Sequence, residues 1–315
     1  MSEGARKLLQ FLGPFIGLFL VLGVFGAVAP DGFLSFENFQ VVMTQMVIVG
    51  LCAIGMTFVI VSGGIDLSVG SMIALCSVVV AILLRDGYDP SVALLGGVVT
   101  GAICGLINGV LITSLRIVPF VATLGMFGMA RGAAKFLADN QKVDAPRSWI
   151  DGLNTMPESW PGFSPSVWML LVLGLAMTLV LRRSVFGTYT FAIGSNEATA
   201  RLCGVPVART KIAIYTLCGF FCGLAGVVQF SRIISGNPTA AMGKELDVIA
   251  AVVIGGGSLA GGEGRIYGSL IGALLMAYLA NGCTFCDIPN YVKDIIIGAI
   301  IVAAVALDQL RHRKG

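Results

Sequence analysis

Apolar residues run along this chain in long blocks that end at proline, glycine or charge. Ten such blocks fall near residues 11–29, 40–61, 71–84, 91–114, 119–138, 166–181, 212–231, 245–256, 266–281 and 292–308. A hydrocarbon core of roughly 30 Å takes about 20 apolar residues of helix. Most of the blocks are therefore predicted to cross a membrane, and the pattern gives about ten transmembrane or partly spanning helices. Blocks 71–84 and 245–256 are too short for a straight crossing and predict broken or partial helices, buried by their neighbours. The first block follows Arg6 and Lys7 as a signal peptide would, but it is long and lacks a small-residue cleavage pattern before Pro30, so a retained first helix is expected.

Glycine adds a second pattern. Gly97, Gly101, Gly105 and Gly109 recur at every fourth position, and Gly219 with Gly223 and Gly264 with Gly268 and Gly272 repeat the spacing. Such ladders let helix backbones approach closely, the means of helix association in lipid. The stretch Gly63 to Ala74 also resembles Gly255 to Gly272: each has a glycine-rich break after an apolar run, then a Gly-Ser opening the next run. Pseudo-symmetric halves with broken helices near a transport pathway account for this; coincidence between two glycine-rich membrane sequences is the competing reading.

Composition moves the picture from apolar to membrane-embedded. Hydrophobic residues make up 57% of the chain and charged residues 12%, with a mean hydropathy of +0.92, more apolar surface than one soluble core can hide. The 315 residues leave no room for a soluble catalytic domain beside the helices. The net charge of +3 sits in short basic clusters, which argues against nucleic-acid binding. If the segments alternate, Arg6, Lys7, Arg116, Arg182, Arg183, Arg201, Arg209, Lys211, Arg265, Arg311, Arg313 and Lys314 share one side, so both termini are expected in the cytoplasm. Trp149, Trp160 and Trp168 gather around the longest opposite loop, as an interfacial aromatic belt would. Cys52, Cys76, Cys104, Cys218 and Cys222 lie in apolar runs as packing residues, while Cys283 and Cys286 form a C-x-x-C expected in an external loop, where a labile disulfide stays open. The only histidine is His312, so no metal site is expected.

Three stretches carry polar chemistry. In Ser62 to Ser71, Asp66 sits between two apolar runs, where a carboxylate is costly unless paired or wet. Asp66 and Ser68 can cap the helix that begins near Ser71, or act in solute passage and gating. In Gly194 to Lys211, Ser195 or Asn196 can cap a short helix on which Glu197 and Arg201 share a face, ended by Gly204 and Pro206, with Arg209 beyond. This is either a solvated loop helix with one ion pair or a docking element for a cytoplasmic partner. In Glu245 to Gly264, Glu245, Asp247 and Glu263 bracket a run too short to span, followed by dense glycine. The phosphate-binding G-x-x-x-x-G-K-[ST] pattern is absent, so this chain is not expected to bind ATP through such a loop.

Gly63-Gly-Ile-Asp-Leu-Ser-Val-Gly70, Asn196-Glu-Ala-Thr-Ala-Arg-Leu-Cys-Gly-Val-Pro206 and Glu245-Leu-Asp247 through Gly255-Gly-Gly-Ser-Leu-Ala-Gly-Gly262 resemble the signature stretches of ribose, xylose and arabinose type (monosaccharide) ABC transporter permeases. The similarity runs from about residue 38 to 308, inside a single permease domain spanning 1–315 with a basic tail at 309–315. The resemblance implies an all-α integral membrane fold of the type II importer kind in a bacterial inner membrane. It also implies a set of partners by analogy: a cytoplasmic ATPase, as two subunits or one tandem chain, that binds ATP and Mg; a periplasmic sugar-binding protein; and a second permease copy forming a homodimer. On that analogy Asn196, Glu197, Arg201, Gly204, Pro206 and Arg209 form the coupling segment seated on the ATPase, and Asp66, Ser68, Asn108, Glu245 and Asp247 serve translocation or gating.

Independently of the resemblance, passage of a neutral polyhydroxylated solute needs hydrogen-bonding groups and few fixed charges. The helices offer Gln45, Thr57, Asn108, Thr113, Thr123 and Asn281, each of which can equally bond a neighbouring helix. Other readings stay open: a stand-alone secondary transporter would need an ion site, for which Asp66 is the candidate, and a same-family importer could carry a nucleoside or signalling furanoside. An intramembrane enzyme would need a base, and no histidine lies in any apolar segment.

Overall fold

A computed structural model describes residues 3–156 and 162–312, so Trp160, Arg313 and Lys314 lie outside the described residues. All ten apolar blocks are helical: α1 Glu3–Val28, α2 Phe36–Val61, α3 Val69–Arg85, α4 Pro90–Ser114, α5 Pro119–Leu137, α6 Pro165–Arg183, α9 Val207–Ile233, α10 Lys244–Ile254, α11 Ile266–Phe285 and α12 Asn290–His312. Two further helices, α7 Val185–Ser195 and α8 Glu197–Leu202, follow α6. Five helices, α2, α4, α6, α9 and α11, are by length and composition able to cross a membrane on their own among the described residues. At 17 and 11 residues, α3 and α10 are the short segments that the sequence marks as partial.

Starts and stops follow local chemistry. The Ser35 hydroxyl accepts from the Asn38 N–H at the start of α2, and Asp89 caps α4 through the Ser91 N–H with Pro90 in the first turn. Every residue from Met46 to Val61 of α2 is buried, as befits a helix apolar all round and enclosed by α6, α9, α10 and α11.

The glycine ladders are helix contacts, except that Gly264 precedes α11 and lies against the Val61 side chain. A Cβ on Gly101 would run into the Gly219 carbonyl and the backbone of Gly223, and one on Gly105 into the Tyr215 carbonyl, so α4 and α9 touch backbone to backbone. Gly268 lies against Gly255 and Gly272 against Ala251, which joins α11 to α10 in the same way.

The two glycine-rich breaks also meet. Between α2 and α3 the chain turns at Gly63, φ +80°, and between α10 and α11 at Gly256, Gly261 and Gly262, φ +90°, +86° and +76°, a left-handed region that glycine enters without steric cost. The Gly262 N–H donates to the Val61 carbonyl at 2.9 Å, and Gly194 at the end of α7 packs against both strands of this contact. The related stretches thus fold as the same unit, a helix, a glycine break and a second helix. At the far end β1 (Val143–Asp144) and β2 (Ser235–Gly236) form a short antiparallel pair beside α3.

One unexpected helix lies outside the apolar blocks, and two expectations are corrected. Val185–Ser195 is helical although its mixture of glycine, threonine and aromatic residues carries no clear period. Cys283 is buried within the last turn of α11 rather than in a loop, Cys286 is the C-cap in the turn that follows, and both thiols are free. Ser68 stands at the N-cap of α3, which starts at Val69, yet its side chain makes no cap bond because its hydroxyl is turned to Asp66.

Candidate functional site

Asp66, Ser68 and Asn108, assigned together from the sequence, are together in space. The fully buried Asp66 carboxylate accepts from the Ser68 N–H at 2.8 Å and from the Ser68 hydroxyl at 2.5 Å, and the Asn108 amide of α4 donates to Ser68 Oγ at 3.1 Å and to Asp66 at 3.4 Å. Thr123 of α5 donates to the Ile65 carbonyl at 3.3 Å, so the break is tied to two helices. Asn108 lies about 9 Å along α4 from Ser114, which places this knot within the span of the helices. Tyr215 of α9 completes it: the side chain is buried, and its hydroxyl faces Gly64 without a partner. Thr123 is among the polar residues that the sequence offers for a pathway, and here it bonds the Ile65 carbonyl, whereas Tyr215 is not singled out from the sequence.

The second group lies on α8. Asn196 is its N-cap, the side-chain oxygen accepting from the Thr199 N–H at 2.9 Å, and Gly204, φ +83°, turns the chain toward Pro206 at the start of α9. Glu197 pairs with Arg201 at 3.1 Å, as the spacing of four predicts, and also with Lys211 of α9 at 2.6 Å. The Lys211 hydrogen bond, aided by the Lys211 and Arg201 charges and opposed by partial burial, holds the Glu197 carboxyl below the usual carboxylate range. Arg201, Pro206 and Arg209 border a shallow hollow between α8 and α9, and Leu202 is 88% exposed beside it. Nearby basic residues share this end: Arg265 donates to the Tyr267 hydroxyl at 2.7 Å while Arg182 stacks over the same ring at 5.1 Å.

Glu245 and Asp247 open α10 but part company. Asp247 pairs with Lys244 at 2.6 Å, whereas Glu245 points at Gly70 in the first turn of α3. Of the polar residues expected along a pathway, Thr57 bonds Ser269 at 2.7 Å, Asn281 bonds Asn38 and Thr113 bonds the Gly109 carbonyl, so these join helices or their own turn. Gln45 instead borders a hollow with Thr44, Asn154 and Arg232.

A bundle of apolar helices with buried, polar-tied breaks and an ion-paired helix at its basic end is a multi-pass membrane protein of the permease class. The chain belongs to the family described as branched-chain amino acid transport system / permease component, whose model matches residues 38–305. It is 40% identical to the ribose import permease protein of Bacillus subtilis (strain 168) over 311 residues, 96% of this chain and 93% of that protein. It is 36% identical to the ribose import permease protein of Escherichia coli (strain K12) over 303 residues, covering 94% and 93%, and 34% identical to the D-allose transport system permease protein of the same organism over 299 residues, covering 95% and 91%. No solved structure gives a significant match.

Proposed function

We propose that this chain is the membrane-spanning permease subunit of an ATP-driven bacterial importer that carries a monosaccharide, a pentose or hexose, into the cytoplasm. Identity of 40% to a ribose import permease over nearly the full length of both chains carries the reading. The single domain lies in the inner membrane as a type II importer-like bundle with both termini cytoplasmic, an orientation favoured by the basic residues gathered around α8 and Tyr267. It works as a homodimer with a cytoplasmic ATPase, whose ATP and Mg stay on that chain, and with a periplasmic sugar-binding protein.

In this reading α8 is the coupling element. Asn196, Gly204 and Pro206 shape it, Glu197 ties it to α9, and Arg201 and Arg209 face the ATPase with Leu202. The Asp66, Ser68 and Asn108 knot holds the break rather than touching solute, since the carboxylate's oxygens are engaged by the chain itself. Asp247 braces α10 through Lys244, leaving Glu245 for the pathway.

The reading is tested on the complex purified with its ATPase. ATP hydrolysis that rises when ribose-loaded binding protein is added supports it, and a chain that associates with no ATPase contradicts it.

A further inference from the structure

Arg131 and Glu245 stand out because neither is used by the helix packing or the breaks described above. Arg131 lies on α5 about 9 Å of helix short of Leu137, within the span of that helix. Its Nη1 donates to the carbonyls of Pro238 and Ala240, both at 2.8 Å, in the segment that leads into α10, while its Nη2 is shielded from solvent and has no hydrogen-bond partner. Glu245 follows on the first turn of α10, and its Oε2 is likewise shielded and without a partner, close against Gly70 at the start of α3. Ser71, next along α3, has a buried hydroxyl in the same condition.

Leaving such donors and acceptors unmet is costly, more so when charged, and ionisable side chains within a membrane span mark pathways for solutes. The surroundings are open on one side: Gly128 and Gly132 beside Arg131, and Met242, Gly243 and Leu246 beside Glu245, are exposed. A guanidinium edge can only donate, a carboxylate oxygen only accept, and a hydroxyl does both. Adjacent hydroxyls of a cyclic polyol match that set, because one can accept from the guanidinium while its neighbour donates to the carboxylate. The two charges offset one another, which suits a neutral solute.

We propose that Arg131 of α5 and Glu245 of α10, with Ser71 beside them, form a transient binding site for the hydroxyls of a neutral cyclic polyol on its way through the bundle. This rests on the importer reading above and adds the residues that touch the solute. Gly70 belongs to the design, since any side chain there would strike the Glu245 carboxylate and the Ala241 carbonyl.

The test uses the full importer in proteoliposomes with ribose and its monodeoxy analogues as probes, comparing the unaltered chain with Arg131→Gln and Glu245→Gln. The solute imported per ATP hydrolysed should fall about tenfold, the loss of one hydrogen bond to a charged group. One deoxy analogue should lose less in a variant than in the unaltered importer, because the hydroxyl that it lacks has already lost its partner. Arg131→Lys, which keeps the charge, should give an intermediate loss and covers a failure of Arg131→Gln to insert. Unchanged import per ATP, or equal penalties for every analogue in variant and unaltered importers, would overturn the site. Absence of ATP-driven uptake by the unaltered importer would instead overturn the importer reading on which the site rests.

Discussion

The Lys211 ammonium lies 2.6 Å from the Glu197 carboxylate and so pins α8, a helix of six residues, to the long helix α9. So short a helix is not stable alone and takes its position from such contacts. Glu197 is thereby an internal staple, and its effect on an ATPase would pass through the placement of Arg201 and Leu202. Glu197→Gln should lower ATP-driven uptake severalfold while insertion into the membrane is unchanged, measured by uptake normalised to membrane-inserted protein.

The same staple has a pH dependence of defined sign. The Glu197 carboxyl is held below its ordinary value of 4.5, so the contribution is complete above that value and is lost as pH falls through the lowered one. A spin label at the exposed Leu202 should keep constant mobility from neutral pH down to about 5 and loosen only in stronger acid. In Glu197→Gln the label should be mobile throughout.

Gly105 tests the α4–α9 contact. A methyl group there meets the Tyr215 carbonyl, which is backbone and cannot rotate away, so Gly105→Ala should cost about 1–3 kcal/mol and Gly105→Leu should block folding. Gly125→Ala on α5, where nothing lies within 4 Å, should leave thermal stability equal or slightly higher. Thermal unfolding in detergent separates the two.

Asp66→Ala removes the acceptor of the Ser68 N–H and hydroxyl and should destabilise by roughly 1–3 kcal/mol for each group left unmet. Asp66→Asn keeps a carbonyl oxygen for those bonds and should retain most ATP-driven uptake. Complete loss of uptake in Asp66→Asn, with normal folding, would point to ion coupling at this carboxylate.

Asn38 of α2 and Asn281 of α11 exchange two amide hydrogen bonds, each 3.0 Å. A double-mutant cycle with leucine at both positions should give a coupling of roughly 0.6–1.7 kcal/mol. Additive effects would show that the pair contributes nothing beyond packing.

Much of this fold is legible in the sequence because lipid imposes length and polarity rules that soluble cores do not. The ten apolar blocks, the short α3 and α10 and the glycine contacts of Gly101 and Gly105 follow from spacing, and the cap of α8 is narrowed to Ser195 or Asn196, of which the structure uses Asn196. The site is legible only where partners are local. Glu197 with Arg201 is visible at a spacing of four, but Lys211 comes from another helix, and Asn108 reaches Ser68 from 40 residues away. Arg131 stands as a charge inside the apolar block 119–138, a signal the sequence does carry, but its partners are the carbonyls of Pro238 and Ala240, and a carbonyl leaves no mark in the residue alphabet.

Uptake of labelled monosaccharides into proteoliposomes, with ATP inside or absent and with or without the ATPase and binding protein, tests the central claim most directly. Uptake that requires ATP and both partners is the predicted result. Uptake by this chain alone that follows an ion gradient would contradict it.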